Sequence, residues 1–267
     1  MNRIDKKFKE LKKLKQKALI PFITCGDPNL ETTKKMVLEF SKIGADIIEL
    51  GLPFSDPVAD GPVIQAASGR ALKNKITIEK VLKLVKDLRK KTQVPLCLMT
   101  YYNPIFNFGL DKFAKLAQVC GLDGVIIPDL PPEEAKELIK AARINNLATI
   151  FFLSPTTSYK RIKLIDKSSR GFIYYVSLTG VTGIRKNLPN NLINNLSKIK
   201  KQLSRPLCVG FGVSKSGQIK KITKFSDGVI VGSAIVKKIE DNLKNKNLIN
   251  IVSNFIRDLA KVAHQDN

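Results

Sequence analysis

Eight short apolar segments recur along this 267-residue chain, and most are followed by a stretch with helical periodicity. No other feature restricts the fold as much. The segments cover residues 18–24, 46–51, 96–100, 124–127, 148–153, 171–176, 206–209 and 228–231. Strand followed by amphipathic helix is the unit of a parallel sheet, because parallel neighbours need a long crossover to bring the chain back. Eight such units in about 250 residues predict a (β/α)8 TIM barrel with right-handed crossovers. The alternative is an open doubly wound sheet, and the absence of a GxGxxG opening counts against it. No linker interrupts the series, so residues 1–267 read as a single TIM-barrel domain.

The helices are legible from their apolar faces. A leading helix over residues 3–15 puts Ile4, Phe8, Leu11 and Leu14 on one side. Met36, Phe40 and Ile43 point inward from the next, with Gly44 as its C-cap. Thr77 caps a helix with Ile78, Val81, Leu82, Val85 and Leu88 on one face. Pro131-Pro132-Glu133-Glu134 opens another, with Ala135, Leu138, Ile139 and Ala142 inside. Leu192, Leu196, Ile199 and Leu203 mark a further helix. Leu248, Val252, Phe255, Leu259 and Val262 face inward from the last. Short extra helices are predicted over residues 63–72 and 234–239, after strands two and eight. Residues 177–188, with Gly180 and Gly183, read as a mobile loop.

Composition excludes several functions. Hydrophobic residues at 43% allow a sizeable core. No run of about 18 apolar residues is present, so no membrane span is expected. Residues 1–17 are charged throughout, which argues against secretion and for the cytoplasm. Cys25, Cys97, Cys120 and Cys208 show no metal or disulfide spacing and are expected to be reduced and mostly buried. The single histidine, His264, leaves little room for histidine-based catalysis or a histidine-ligated metal, so attention moves to carboxylates. The formal charge of +23 raises the question of nucleic acid. The lysines are spread over outer helix faces without a nucleic-acid motif or an interleaved aromatic tract, and read as a solvated surface.

The chemistry concentrates after strand two, in the run Asp46-Ile47-Ile48-Glu49-Leu50-Gly51-Leu52-Pro53-Phe54-Ser55-Asp56-Pro57-Val58-Ala59-Asp60-Gly61-Pro62. Glu49 shares a strand face with Ile47. A carboxylate is costly to bury without partners. Glu49 is therefore either half of a buried ion pair or a carboxyl whose pKa is raised enough to trade protons near neutrality. Asp56 and Asp60 are held in a loop stiffened by Pro53, Pro57 and Pro62. In a barrel, Glu49, Asp60, Tyr174 and the glycines after strands seven and eight fall on one rim. Gly210-Phe211-Gly212 and Gly232-Ser233 suit a phosphate, the second because it opens a short helix.

The same run resembles the active-site segment of the tryptophan synthase alpha chain family. Family-like motifs follow in family order: Pro21-Phe22-Ile23-Thr24-Cys25-Gly26-Asp27-Pro28, Leu98-Met99-Thr100-Tyr101-Tyr102-Asn103-Pro104, Ile127-Pro128-Asp129-Leu130-Pro131, Val181-Thr182-Gly183, Gly210-Phe211-Gly212-Val213-Ser214 and Val231-Gly232-Ser233-Ala234. The resemblance covers nearly the whole chain. It implies a leading helix under the barrel and retro-aldol cleavage of indole-3-glycerol phosphate to indole and glyceraldehyde 3-phosphate, with no metal or Schiff base. Glu49 matches the family's acid/base glutamate, Asp60 the aspartate that holds the indole nitrogen, and Tyr174 the active-site tyrosine. Strand alternation would send Tyr175 to the helix side. Thr182 matches the loop threonine that closes over Asp60. Gly183, Gly212, Gly232 and Ser233 match phosphate ligands, with Phe211 among the substrate-binding residues. Phe22 and Tyr101 match the walls around indole. Leu178 departs from a basic residue that some members carry in the closing loop. Asp56 reads as structural and interfacial. The resemblance also implies an α2β2 assembly with a beta chain that carries pyridoxal phosphate and receives the indole.

Overall fold

The computed structural model describes residues 1–176, 192–210, 212–213 and 215–265. Its strands are β1 (Ala18–Thr24), β2 (Ile48–Gly51), β3 (Leu96–Met99), β4 (Gly124–Ile126), β5 (Ala148–Ile150), β6 (Phe152–Leu153), β7 (Ile173–Val176), β8 (Leu207–Gly210) and β9 (Gly228–Val231). The helices among the described residues are α1 (Arg3–Lys13), α2 (Leu30–Lys42), α3 (Pro62–Lys73), α4 (Ile78–Arg89), α5 (Tyr102–Phe108), α6 (Leu110–Cys120), α7 (Lys136–Ile144), α8 (Tyr159–Ser168), α9 (Leu192–Lys200), α10 (Ser216–Ile222), α11 (Ser233–Glu240) and α12 (Leu248–Ala263). None is long and apolar enough to cross a membrane.

The strands pair in parallel in the order β5-β4-β3-β2-β1-β9-β8-β7-β6. The two ends of that order, β5 and β6, are halves of one extended segment interrupted at Phe151. The Tyr174 amide donates to the Phe151 carbonyl at 3.0 Å, so the pairing passes through the break and the sheet closes on itself. Eight strand positions thus form a barrel, as the βα repeat predicts.

Period-two alternation divides the core into two layers. Ala18, Ile20, Ile47, Cys97, Ile126, Ile150, Phe172, Tyr174, Cys208 and Ile230 point inward and form one buried cluster. Leu19, Ile48, Leu50, Leu98, Val125, Ile173, Val209 and Val229 point outward and pack under the helices. Ile4, Phe8 and Leu11 of α1 join the inner cluster, so this helix plugs the end of the barrel where the strands begin. The helix ends at Lys13, and Leu14, expected on the same face, is 53% exposed. Asp123 fastens the plug. It accepts from Arg89 at 2.6 Å, Arg3 at 3.0 Å and the Leu96 amide at 2.9 Å. At the same end, Nε2 of His264 lies 2.8 Å from Asp46 Oδ2, which also accepts from the Leu19 amide. The single histidine is a clasp on the barrel's underside. All four cysteines are buried and free.

The elements differ from expectation in a few places. Residues 102–108, for which no helix is predicted, form α5. Its Pro104 occupies the first turn, where the missing N–H has no intrahelical partner to lose. Helix α7 begins five residues after Pro131. Pro132 keeps Pro131 out of the helical region, and the chain makes a turn first, with Glu134 N–H on the Pro131 carbonyl at 3.1 Å. In α12 the buried stripe runs Leu248, Val252, Ile256, Leu259 and Ala263. This is a strict 3.6 repeat, and it leaves Phe255 and Val262 at the edge, partly buried. The short helices after β2 and β9 are present as α3 and α11.

Candidate active site

Parallel register sets Glu49 level with Phe22 on one side and Cys97 on the other. Farther round the barrel, Phe152, Tyr174 and Cys208 share a register. Glu49 is fully buried, and neither carboxyl oxygen has a hydrogen-bond partner among the described residues. The ion-pair reading therefore has no partner among the described residues. Burial alone raises its pKa to about 8. At neutral pH Glu49 is mostly an acid rather than a carboxylate.

Asp60 is held by its own loop. Its amide donates to the Pro57 carbonyl at 3.0 Å, and Gln65 Nε2 donates to its carbonyl at 2.8 Å. The Tyr101 hydroxyl donates to Asp60 Oδ2 at 3.1 Å and accepts from the Ala59 amide at 2.9 Å. Phe54 stacks on Tyr101, ring centroids 5.3 Å apart. Desolvation pushes the Asp60 carboxyl up to about 6, against the opposing pull of the Tyr101 hydrogen bond. Asp60 is thus largely ionised at neutral pH while Glu49 is largely protonated. Environments that push two carboxyls apart in this way can assign one as proton carrier and the other as fixed charge.

Asp60 and Tyr101 open on a small cavity walled by Phe22, Leu52, Ile64 and Met99, with Thr24 and Thr100 also in its lining. Its lining is mainly apolar, with the Asp60 carboxylate as an anionic hydrogen-bond acceptor at its edge. Tyr174 is buried, and its ring centroid lies 4.7 Å from that of Phe152. Burial, then the charges of Glu49 and Asp60, hold its hydroxyl well above the usual tyrosine range, so it remains a proton donor. Tyr175 faces the outer layer, as alternation requires. Asp56 is exposed and accepts from Ser55 Oγ at 2.6 Å, a local brace.

Two glycines make room for the rings. A Cβ on Gly210 would lie 2.4 Å from Tyr174 Cε1 and 2.7 Å from its hydroxyl, and a Cβ on Gly51 would lie 2.6 Å from Phe22 Cζ. Gly210→Ala is therefore expected to displace Tyr174, lowering turnover about tenfold or more and stability by about 1–3 kcal/mol. Assay and urea titration check both effects. Wild-type values in both would show that the Tyr174 ring position is not critical.

On the same rim, Gly212 has φ 39°, a left-handed backbone that glycine adopts without strain. Gly232 is the N-cap of α11, and its carbonyl accepts from Ile235 and Val236 at 2.9 and 3.0 Å. The Ser233 and Ala234 amides precede the first intrahelical bond and are open to an anion. An added Cβ on Gly232 would lie 3.5 Å from Phe22 Cδ1, so this helix start adjoins the ring cavity. Thr182, Gly183, Phe211 and Leu178, and with them the mobile loop expected over residues 177–188, lie outside the described residues.

Sequence reading missed Arg70. Its guanidinium grips both oxygens of Asp27, at 2.8 and 2.9 Å, and Glu240 at 2.9 Å, tying α3 to the turn after β1 and to α11. Partners 43 and 170 positions away leave no local signal. Thr24 was findable, since it lies two residues beyond Phe22 on the same strand face.

A (β/α)8 barrel with carboxyls, a buried tyrosine and an anion-ready helix start around the ends of its strands has the layout of a barrel enzyme for a phosphorylated aromatic substrate. Comparison with known proteins makes the class specific. The family model for the tryptophan synthase alpha chain matches residues 8–264. The chain is 50% identical over 240 residues to the tryptophan synthase alpha chain of Geotalea daltonii, covering 90% of this chain and 91% of that one. It is 44% identical over 266 residues to that of Prochlorococcus marinus, covering 99% and 95%. The crystal structure of tryptophan synthase subunit alpha from Legionella pneumophila superimposes with a TM-score of 0.92 at 40% identity, covering 98% of each chain. The chain belongs to the tryptophan synthase alpha chain family.

Proposed function

We propose that this chain, acting as one barrel unit in the cytoplasm, is a carbon–carbon lyase that cleaves indole-3-glycerol phosphate to indole and glyceraldehyde 3-phosphate. The observation that carries this reading is Glu49, a buried carboxyl with no hydrogen-bond partner among the described residues and a pKa raised to about 8, on the same inner face as Tyr174. Glu49 gives its proton to C3 of the indole ring, which leaves positive charge on the ring nitrogen. Asp60 accepts the ring N–H and stabilises that charge. Glu49, now a carboxylate, takes the proton from the hydroxyl on the carbon joined to the ring. That carbon becomes the aldehyde, the carbon–carbon bond breaks, and its electron pair returns to the ring. Glu49 ends protonated, so the step balances without a cofactor in this chain.

Phe22 and Tyr101 wall the ring, and Tyr174 donates at the reacting end. Gly212, Gly232 and Ser233, with Gly183 and Phe211, bind the phosphate, and Thr182 closes over Asp60. We assign the partner as a beta chain carrying pyridoxal phosphate, in an α2β2 assembly that receives the indole. Support comes from two exposed apolar side chains in the segments that follow β2 and β3, Val58 at 74% and Phe106 at 60%. Indole is apolar and would be lost if released to water. Mixing the chain with the beta chain of the same source should give co-elution on a sizing column. It should also give indole and glyceraldehyde 3-phosphate in equal amounts, about tenfold faster than the isolated chain through loop closure. Co-elution without cleavage would sink the lyase reading. Cleavage without co-elution or acceleration would sink the partner.

A further inference from the structure

At the end of the barrel away from Glu49 and Asp60 lies a cleft of about 860 Å3, within the range of small-molecule sites. Helix α1 and residues 15–17 form one wall, the end of α9 and residues 203–205 the other. Phe8, Leu11, Gly171 and Pro206 line it between them. Six cationic side chains line it, against two carboxylates. The important four come from both walls: Lys12 and Lys17 on one, Lys200 and Arg205 on the other.

Two of these four differ from ordinary surface lysines. Lys17 and Lys200 are partly buried, and burial lowers both below the usual lysine range. Lys200 reaches about 8 through burial, with Lys17 and Lys12 pushing the same way. Lys200 pairs with Asp227, but that carboxylate is shared with the Leu207 amide at 2.7 Å. Arg205 Nε is buried with no hydrogen-bond partner among the described residues. A lysine-rich composition accounts for exposed lysines along helices. It does not account for two lysines from opposite walls half-buried around one concavity, beside a buried guanidinium nitrogen with no partner among the described residues. Such an arrangement is unfavourable until an anion enters.

We propose that this cleft is a second anion site, for a small molecule carrying two or more linked phosphate groups. A single phosphate would satisfy one wall, whereas a linked pair meets Lys12 and Lys17 on one side and Lys200 and Arg205 on the other. The apolar floor and concave outline fit a compact ligand better than a duplex, which needs a continuous convex stripe. A bound polyanion would tie α1 to α9 and stabilise the fold by an amount that grows with the logarithm of its concentration above Kd.

The test is calorimetric titration of the full chain with inorganic pyrophosphate, in excess glycerol 3-phosphate to occupy the rim. The expected result is one site with Kd below about 1 mM. Lys12→Met and Lys17→Met should each weaken it about tenfold, and Lys17→Arg should restore it. KM for indole-3-glycerol phosphate should stay within about twofold in all three, which also shows that they fold. Tripolyphosphate and adenosine triphosphate separate the sources of the same chemistry. Equal affinity identifies an inorganic polyphosphate ligand, and tighter binding of the nucleotide identifies a nucleoside phosphate. Three results would overturn the proposal: displacement of pyrophosphate by glycerol 3-phosphate, unchanged affinity in Lys17→Met, or stronger binding of a random DNA duplex at about 0.15 M salt.

Discussion

Glu49→Gln is expected to lower turnover of indole-3-glycerol phosphate about 100- to 10,000-fold, the usual contribution of a general acid–base group. The amide fills the same space but cannot exchange a proton. The same substitution should raise stability above pH 5. In the unfolded chain Glu49 titrates as an ordinary carboxyl, whereas in the fold burial lifts it to about 8. Between those values the folded state binds more protons than the unfolded state, so wild-type stability falls as pH rises through that window. The variant lacks this term. Its advantage should be near zero at pH 4, grow across the window and level off above about pH 8 at a few kcal/mol. Urea titration at pH 5 and pH 8 measures the difference. A variant that loses activity and also loses stability at pH 8 would show that Glu49 is ionised and partnered in the fold.

The second large effect is expected at Asp60. Asp60→Asn keeps an oxygen that can accept the ring N–H but removes the charge, so turnover should fall about 100-fold while KM changes little. In the wild type the Asp60 carboxyl titrates at about 6. Protonation below that value removes the stabilising charge, so kcat should fall as pH drops through 6. That acid limb should vanish in Asp60→Asn. A limb that persists in the variant would assign it to another group, and an equal rise in KM would make Asp60 a binding residue only.

Much of this is legible in the sequence alone, for a physical reason. Strand positions such as Glu49 are governed by local alternation, and a lone acid among Ile47, Ile48 and Leu50 stands out. The βα spacing announced the barrel, and the glycines at 210, 212 and 232 announced the rim. What could not be read depends on contacts distant in sequence. The hydrogen bond from Tyr101 to Asp60 spans 41 positions, and the grip of Arg70 on Glu240 spans 170. That Glu49 has no ion-pair partner among the described residues likewise depends on the side chains around it, which no local pattern contains. Helix α5 was missed because Pro104 is a turn signal by composition and becomes compatible with a helix only by standing in its first turn. The exchange of Phe255 for Ile256 in α12 came from reading a nearly continuous apolar face one position off.

The mechanism depends on Glu49 carrying a proton at neutral pH. The infrared difference spectrum between wild type and Glu49→Gln, followed from pH 4 to pH 10, measures this directly. A carboxylic-acid C=O band present at pH 7 and lost with a midpoint at about 8 is the predicted result. A carboxylate signature already complete at pH 6 would contradict it.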